Sequence, residues 1–223
     1  MKKSQVGFGV VILISALFGS LQAQTKVFSE AEGDGRNGSA GFYDSYVFKL
    51  SGNNYRIKSS GQGKRASRKG ITNFRLKLER DEGLESRIYF TQYKDDLILV
   101  CETSIGDGGR GFITRLNGKT LKTKWQRHIP AFNIAKGIIE NNSAYLAAIG
   151  FVAKINLDTG KYLWEHEDFY RKYKEEGAFN IFETPKIKGN IITFTENQDM
   201  YKRPPNIIKF NKNSGKVIEV KVN

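Results

Sequence analysis

Gly150-Phe-Val-Ala-Lys-Ile-Asn-Leu-Asp-Thr-Gly-Lys-Tyr-Leu-Trp164 decides how the rest of the chain is read. Phe151 to Ile155 is an aromatic and β-branched run, and Tyr162 to Trp164 opens a second one. Between them, Asp158-Thr159-Gly160 reads as a tight turn in which an Asx or Thr side chain caps the backbone and Gly160 takes a positive φ. The stretch has two counterparts in the chain. Gly111 to Trp125 aligns with it, with Leu121 where the glycine would stand. Asn206 to Glu219 keeps the turn glycine as Gly215 and has Glu219 at the Trp position.

Working outward, a two-residue turn precedes each copy: Asp95-Asp96, Asn141-Asn142 and Gly189-Asn190. Such pairs suit the primed turns of two-residue hairpins. Each unit then reads strand, hairpin turn, strand, connection, strand, Asx-Gly turn, strand. Four antiparallel strands at a period of about 40 residues form the unit of a β-propeller. Residues 87–127, 131–167 and 179–222 supply three units. A fourth comes from Tyr43–Leu50, a Gly52-Asn53 turn, Asn54–Ser59 and Ile71–Glu79, its last strand missing or supplied by Ser86–Gln92. The expected fold is all-β: a small propeller of about four blades, closed or left open at one edge. One short helical insert is expected within Glu165–Gly177, where Phe169 and Tyr173 lie four apart. Residues 24–42 are expected to be a mobile N-terminal segment.

The pattern of residues 155–164 resembles the PQQ-like repeat of quinoprotein-type propellers, well over 87–223 and loosely over 24–86. The resemblance implies the propeller fold. It does not imply a quinone, because many propellers with this repeat bind none. Quinoprotein dehydrogenases of the family use adjacent cysteines over the cofactor and a calcium held by acidic and amide residues. The chain has a single cysteine, Cys101, and no residue matches the calcium set. The expectation is therefore no cofactor, no metal and no catalytic residue. Some members act in outer-membrane protein assembly as lipoproteins, which implies a scaffold role.

Composition fits a single globular domain: 223 residues, 39% hydrophobic and 26% charged, with a net charge of +13. Lys2 and Lys3 precede an apolar run from Val6 to Phe18, and small and polar residues follow to Ala23. This reads as a signal peptide over 1–23, so the mature part, 24–223, is expected to be secreted or periplasmic. No cysteine follows the run to carry a lipid, and no later segment is apolar enough to span a bilayer. Without Lys2 and Lys3 the charge is +11, and residues 56–80 alone hold nine cations against Glu79.

Four insertions, Ser60–Gly70, Ser104–Arg110, Asn197–Pro205 and Glu165–Gly177, fall at second-to-third or fourth-to-first connections. In an up-and-down blade these emerge at one end, where function usually resides. The candidate partner-binding residues on them are Lys64, Arg65, Arg68, Lys69, Arg110, Tyr170, Arg171, Lys172, Lys174, Tyr201, Lys202 and Arg203. Trp125, Asp158, Thr159, Gly160, Trp164 and Gly215 are read as structural repeat positions.

Other motifs carry less. Gly106-Asp-Gly-Gly-Arg-Gly111 fits a dinucleotide pattern but is followed by a strand instead of the required helix. Glu32-Gly-Asp-Gly-Arg-Asn37 lacks the closing Glu of a calcium loop. His128 and His166 stand without nucleophile or carboxylate at catalytic spacing. The leading expectation is a non-catalytic scaffold that binds a protein or an anionic envelope component, polysaccharide or lipid headgroup, through its loop-rich face. The alternative is a polyanion-binding module using 56–80, with nucleic acid disfavoured outside the cytosol. A quinone-dependent dehydrogenase comes third.

Overall fold

The computed structural model describes residues 25–36, 43–60, 63–68, 71–72, 87–105, 108–169, 181–197 and 204–223. The expected signal peptide lies outside them. Three short strands come first: β1 (Thr25–Val27), β2 (Ser29–Glu30) and β3 (Glu32–Arg36). Four antiparallel meanders follow. The first is β4 (Tyr43–Leu50), β5 (Asn53–Ser60), β6 (Gly63–Arg68) and β7 (Ile71–Thr72). The second is β8 (Ile88–Tyr93), β9 (Asp96–Ile105), β10 (Gly108–Leu116) and β11 (Thr123–Ile129). The third is β12 (Ile138–Glu140), β13 (Ser143–Ala148), β14 (Phe151–Asn156) and β15 (Tyr162–His166). The fourth is β16 (Lys186–Lys188), β17 (Ile191–Thr195), β18 (Ile207–Asn211) and β19 (Val217–Lys221).

Strand alternation explains how the sheets stack. In β9, Leu97, Leu99 and Cys101 join Tyr46, Phe48, Tyr55 and Ile57 of the first sheet. The intervening Ile98 and Val100 join Ala144, Leu146 and Ala153 of the third. Tyr145, Ala147 and Val152 point the other way, onto Ile192, Phe194, Ile208 and Phe210 of the fourth. The second and third sheets are thus buried on both faces, which is why Leu97-Ile98-Leu99-Val100 reads as an unbroken apolar run. The fourth sheet is buried on one face only, and β17 alternates between exposed and buried positions.

The repeat motif is the fastening between sheets. Trp125 lies over Gly160 of the third sheet, and its Nε1 donates to Leu157 O at 3.0 Å. Trp164 lies likewise over Gly215, with Nε1 donating to Lys212 O at 3.1 Å. A cation from the third strand reaches the same carbonyl: Arg115 to Leu157 O at 2.8 Å and Lys154 to Lys212 O at 3.0 Å. A Cβ at Gly160 would sit 2.6 Å from the Trp125 ring, and the residue has φ +69°. Glycine is therefore required twice over, by the turn and by the indole. Both Trp residues of the chain are used in this way, on Gly160 and Gly215. Leu121 takes the equivalent turn position with φ 57° and is buried in the core between the first two sheets. Glu219, at the third Trp position, instead receives Lys209 at 2.7 Å.

Several expectations are corrected. Residues 25–36 of the segment expected to be mobile are paired: β1 with β12, β2 with β8 and β3 with β4. Phe28 and Ala31, between these strands, are buried, and their N–H groups donate to Gly137 O and Ile88 O. The third strand of the first unit is Gly63–Arg68, not Ile71–Glu79, so the stretch 60–70 is largely hairpin and not an inserted loop. Its fourth strand is Ile71–Thr72, and Ser86–Gln92 contributes instead to β8. The insertion Ser104–Arg110 is mostly absorbed by lengthening β9 and β10. Glu165 and His166 belong to β15 and not to a helix, while 170–177 lie outside the described residues.

Candidate partner-binding surface

The two ends of the stacked sheets differ in kind. At one end every connection among the described residues is a tight turn. The first-to-second turns are Ser51-Gly52, Lys94-Asp95, Asn141-Asn142 and Gly189-Asn190, two of them displaced by one residue from the expected positions. Ser51, Lys94, Asn141 and Gly189 each have positive φ, as primed hairpin turns require. Three of the third-to-fourth turns share a cap: the Thr159 and Ser214 hydroxyls accept from Lys161 and Lys216 N–H at 3.2 and 3.3 Å, as expected, but the Asx cap is an asparagine upstream and not Asp158. Asn156 Oδ1 accepts from the N–H groups of Asp158 and Thr159 at 2.9 and 3.0 Å. Asn117 does the same for Lys119 and Thr120, and Asn211 for Asn213 and Ser214. An asparagine four residues before the Gly or Leu position recurs in all three copies, a signal that could have identified it. The two kinds of turn are tied together by Leu157 N to Asn142 O at 2.7 Å and Lys212 N to Asn190 O at 2.8 Å.

Buried charge at this end is satisfied. Asp96 receives Arg115 Nε at 2.5 Å and Lys124 Nζ at 2.7 Å. Burial alone pushes its carboxyl up, but these two hydrogen bonds outweigh burial and hold it below the ordinary carboxylate range. Lys94 does the same for Asp158 at 2.8 Å. Depressed carboxyls contribute stability that is complete above the unfolded-state pKa and is lost as pH falls through the folded value. We therefore expect stability to decline on acidification below about pH 4. Urea titrations from pH 6 to pH 2 should show the decline reduced in Asp96→Asn. An unchanged profile would remove Asp96 from the account.

The other end carries the long connections. β7, β11 and β15 end there and β8, β12 and β16 begin there, so the connections between successive sheets join strand ends at this end, and β17 and β18 also meet their longer connection there. Arg110, exposed on β10, is at this end. A cleft of about 430 Å³ lined by Gly109, the apolar Pro130, Ala131, Phe132, Ile149 and Phe151, and the acidic Glu167 and Asp168 lies at this end. Burial, with Glu167 nearby, pushes the Glu165 carboxyl up. Lys69, Tyr170, Arg171, Lys172, Lys174, Tyr201, Lys202 and Arg203 lie outside the described residues. Among those described, no three His, Cys, Asp or Glu side chains come together as a metal site would need. Cys101 is buried in β9. His128 O accepts from the Tyr162 hydroxyl, and His166 contacts Gly215 O at 2.8 Å.

Part of the basic segment forms strand β6. Arg65 pairs in register with Lys58, whereas Arg68 pairs with Tyr55 and Lys64 with Ser59. Arg68 stands opposite the third residue of its second strand, as Arg115 does with Ile98, Lys154 with Tyr145 and Lys209 with Thr193. The N-terminal strand β3 also brings acid to this sheet, with Asp34 ion-paired to Arg56 at 2.6 Å.

No family model and no curated protein matches the chain. Among solved structures, it is similar to the quinohemoprotein alcohol dehydrogenase ADHIIG from Pseudomonas putida HK5 at 12% identity and a TM-score of 0.49. That match covers 89% of this chain and 36% of the other. A complex of KlAtg21 with the coiled-coil of AgAtg16 matches at 15% identity and TM-score 0.44, over 78% of this chain and 53% of that one. A europium-containing methanol dehydrogenase matches at 13% identity and TM-score 0.39, over 56% of this chain and 23% of that one. The chain thus spans between about a quarter and a half of the length of these proteins. At such similarities the comparisons assign it no activity.

Proposed function

We propose that the chain is a secreted or periplasmic scaffold of propeller type, without catalysis of its own. It binds a protein or an anionic envelope component through the end that carries the long connections. The observation that supports this is the asymmetry of the two ends. One is closed by short, internally capped turns, and the other receives every long connection, as expected of variable recognition loops on a rigid frame. The basic and tyrosine-bearing stretches 170–174 and 201–203 are joined to strands at that end, and such residues suit recognition. The polyanion reading of 56–80 is the second reading, carried by the nine cations of that segment against Glu79.

The test is capture from envelope extract by the full chain at low and high salt. Arg171, Lys172, Lys202 and Arg203 changed together to Gln should lose the captured partner. Changing Lys119, Lys161 and Lys216, which are exposed at the tight-turn end, should not. Equal loss in both variants, or oxidation of an alcohol on addition of a quinone cofactor and a dye acceptor, would overturn the reading.

A further inference from the structure

Three of the four sheets have five strands and one has four. The difference is the N-terminal strands. β3, β2 and β1 each add to the free edge of the first strand of a meander, on β4, β8 and β12 respectively. In the fourth sheet, the equivalent strand β16 is the edge, and no strand among the described residues lies beside it. Lys188 and Ile191 flank a two-residue turn and so exchange their hydrogen bonds with each other. By alternation the Ile187 main chain faces the open side. A cleft of about 520 Å³ adjoins the start of this strand, between Thr184, Lys136 and Glu30 of β2.

We propose that the fourth sheet is also completed by a fifth strand: an extended, acidic segment of another protein that pairs antiparallel with β16. Exposed edges accept strands through main-chain hydrogen bonds, while side chains at alternate positions select the partner. Here the selecting positions are Lys186 and Lys188, both exposed and two apart, therefore on one face. They exclude a second copy of the same edge, because like charges directly opposite are unfavourable. They select carboxylates at alternate positions. The chain holds a precedent in β3, where Glu32 and Asp34 alternate in an added strand and Asp34 meets Arg56. Pro185, which has no N–H, marks the upstream limit of regular pairing.

This surface is separate from the loop-bearing end and is tested separately. The probe is a fluorescent synthetic peptide with the sequence of residues 30–36, Glu-Ala-Glu-Gly-Asp-Gly-Arg, added to the full chain. We expect saturable binding that slows exchange of the Ile187 amide, and at least a tenfold loss of affinity in Lys186→Glu/Lys188→Glu. Two N-methylated peptides separate strand pairing from charge attraction. Methylation of the amides facing β16 should abolish binding, and methylation of the opposite set should leave it. The proposal is overturned if the peptide does not bind, if both methylated peptides bind alike, or if the Ile187 amide is already protected in the protein alone.

Discussion

Gly160→Ala should lower folding stability by about 3 kcal/mol, with a similar loss for Gly215→Ala. Two costs combine. A residue with a Cβ in the left-handed region costs about 1–2 kcal/mol, and forcing a methyl into a packed contact costs about 1–3 kcal/mol. The methyl cannot be accommodated by a flexible neighbour, because the nearest atoms belong to the Trp125 ring, itself held by its bond to Leu157 O. Trp125→Ala alone should cost about 3–5 kcal/mol. The informative measurement is the double-mutant cycle by denaturant titration. With the indole gone, Gly160→Ala should retain only its backbone cost, giving a coupling of about 1–2 kcal/mol. If the glycine substitution costs the same in both backgrounds, the ring contact is not what the glycine serves.

Glu140→Gln is the second large effect, at about 3–5 kcal/mol. Lys212 Nζ lies 2.7 Å from both carboxylate oxygens, and both side chains are largely removed from water. Lys154 is close by: burial pushes its ammonium pKa down, Glu140 opposes that, and Lys212 adds to it. Removing the carboxylate therefore leaves two cations facing each other in a poorly solvated site. Replacing Glu140 and Lys212 together by Leu and Met should recover most of the loss, since an apolar pair of similar volume avoids the desolvation cost. Glu219→Gln is the contrasting case, because Lys209 and Glu219 are solvent-accessible and the change should stay within about 1 kcal/mol. Equal losses at Glu140 and Glu219 would refute the argument from burial.

The three repeats were legible because their turn chemistry and their apolar runs agree, and β14 and β15 form where Gly150–Trp164 indicated. Their partnership was not legible. That Trp125 meets Gly160, and not a glycine of its own unit, is a contact between successive repeats, which alignment of the repeats to one another cannot reveal. The N-terminal strands escaped for a related reason. Glu32-Gly-Asp-Gly-Arg has poor strand propensity, and only the vacant edge of β4 makes it a strand. β6 was missed because Ser, Gly, Lys and Arg give no hydrophobic alternation, so it looked like a loop.

The N-terminal strands also set an order of events during synthesis. The chain visits the sheets backwards: Thr25 pairs with Glu140, Ser29 with Phe90 and Glu32 with Val47. Residues 25–36 must therefore wait for partners made later, Thr25 for Glu140 on the order of ten seconds at ordinary elongation rates. Contacts of such separation are the slow ones to close. The segment would act as a final stitch, drawn across three sheets that have already stacked. Until it is placed, the edges of β4, β8 and β12 are open to other strands, and this is the interval in which the protein is most exposed to mispairing.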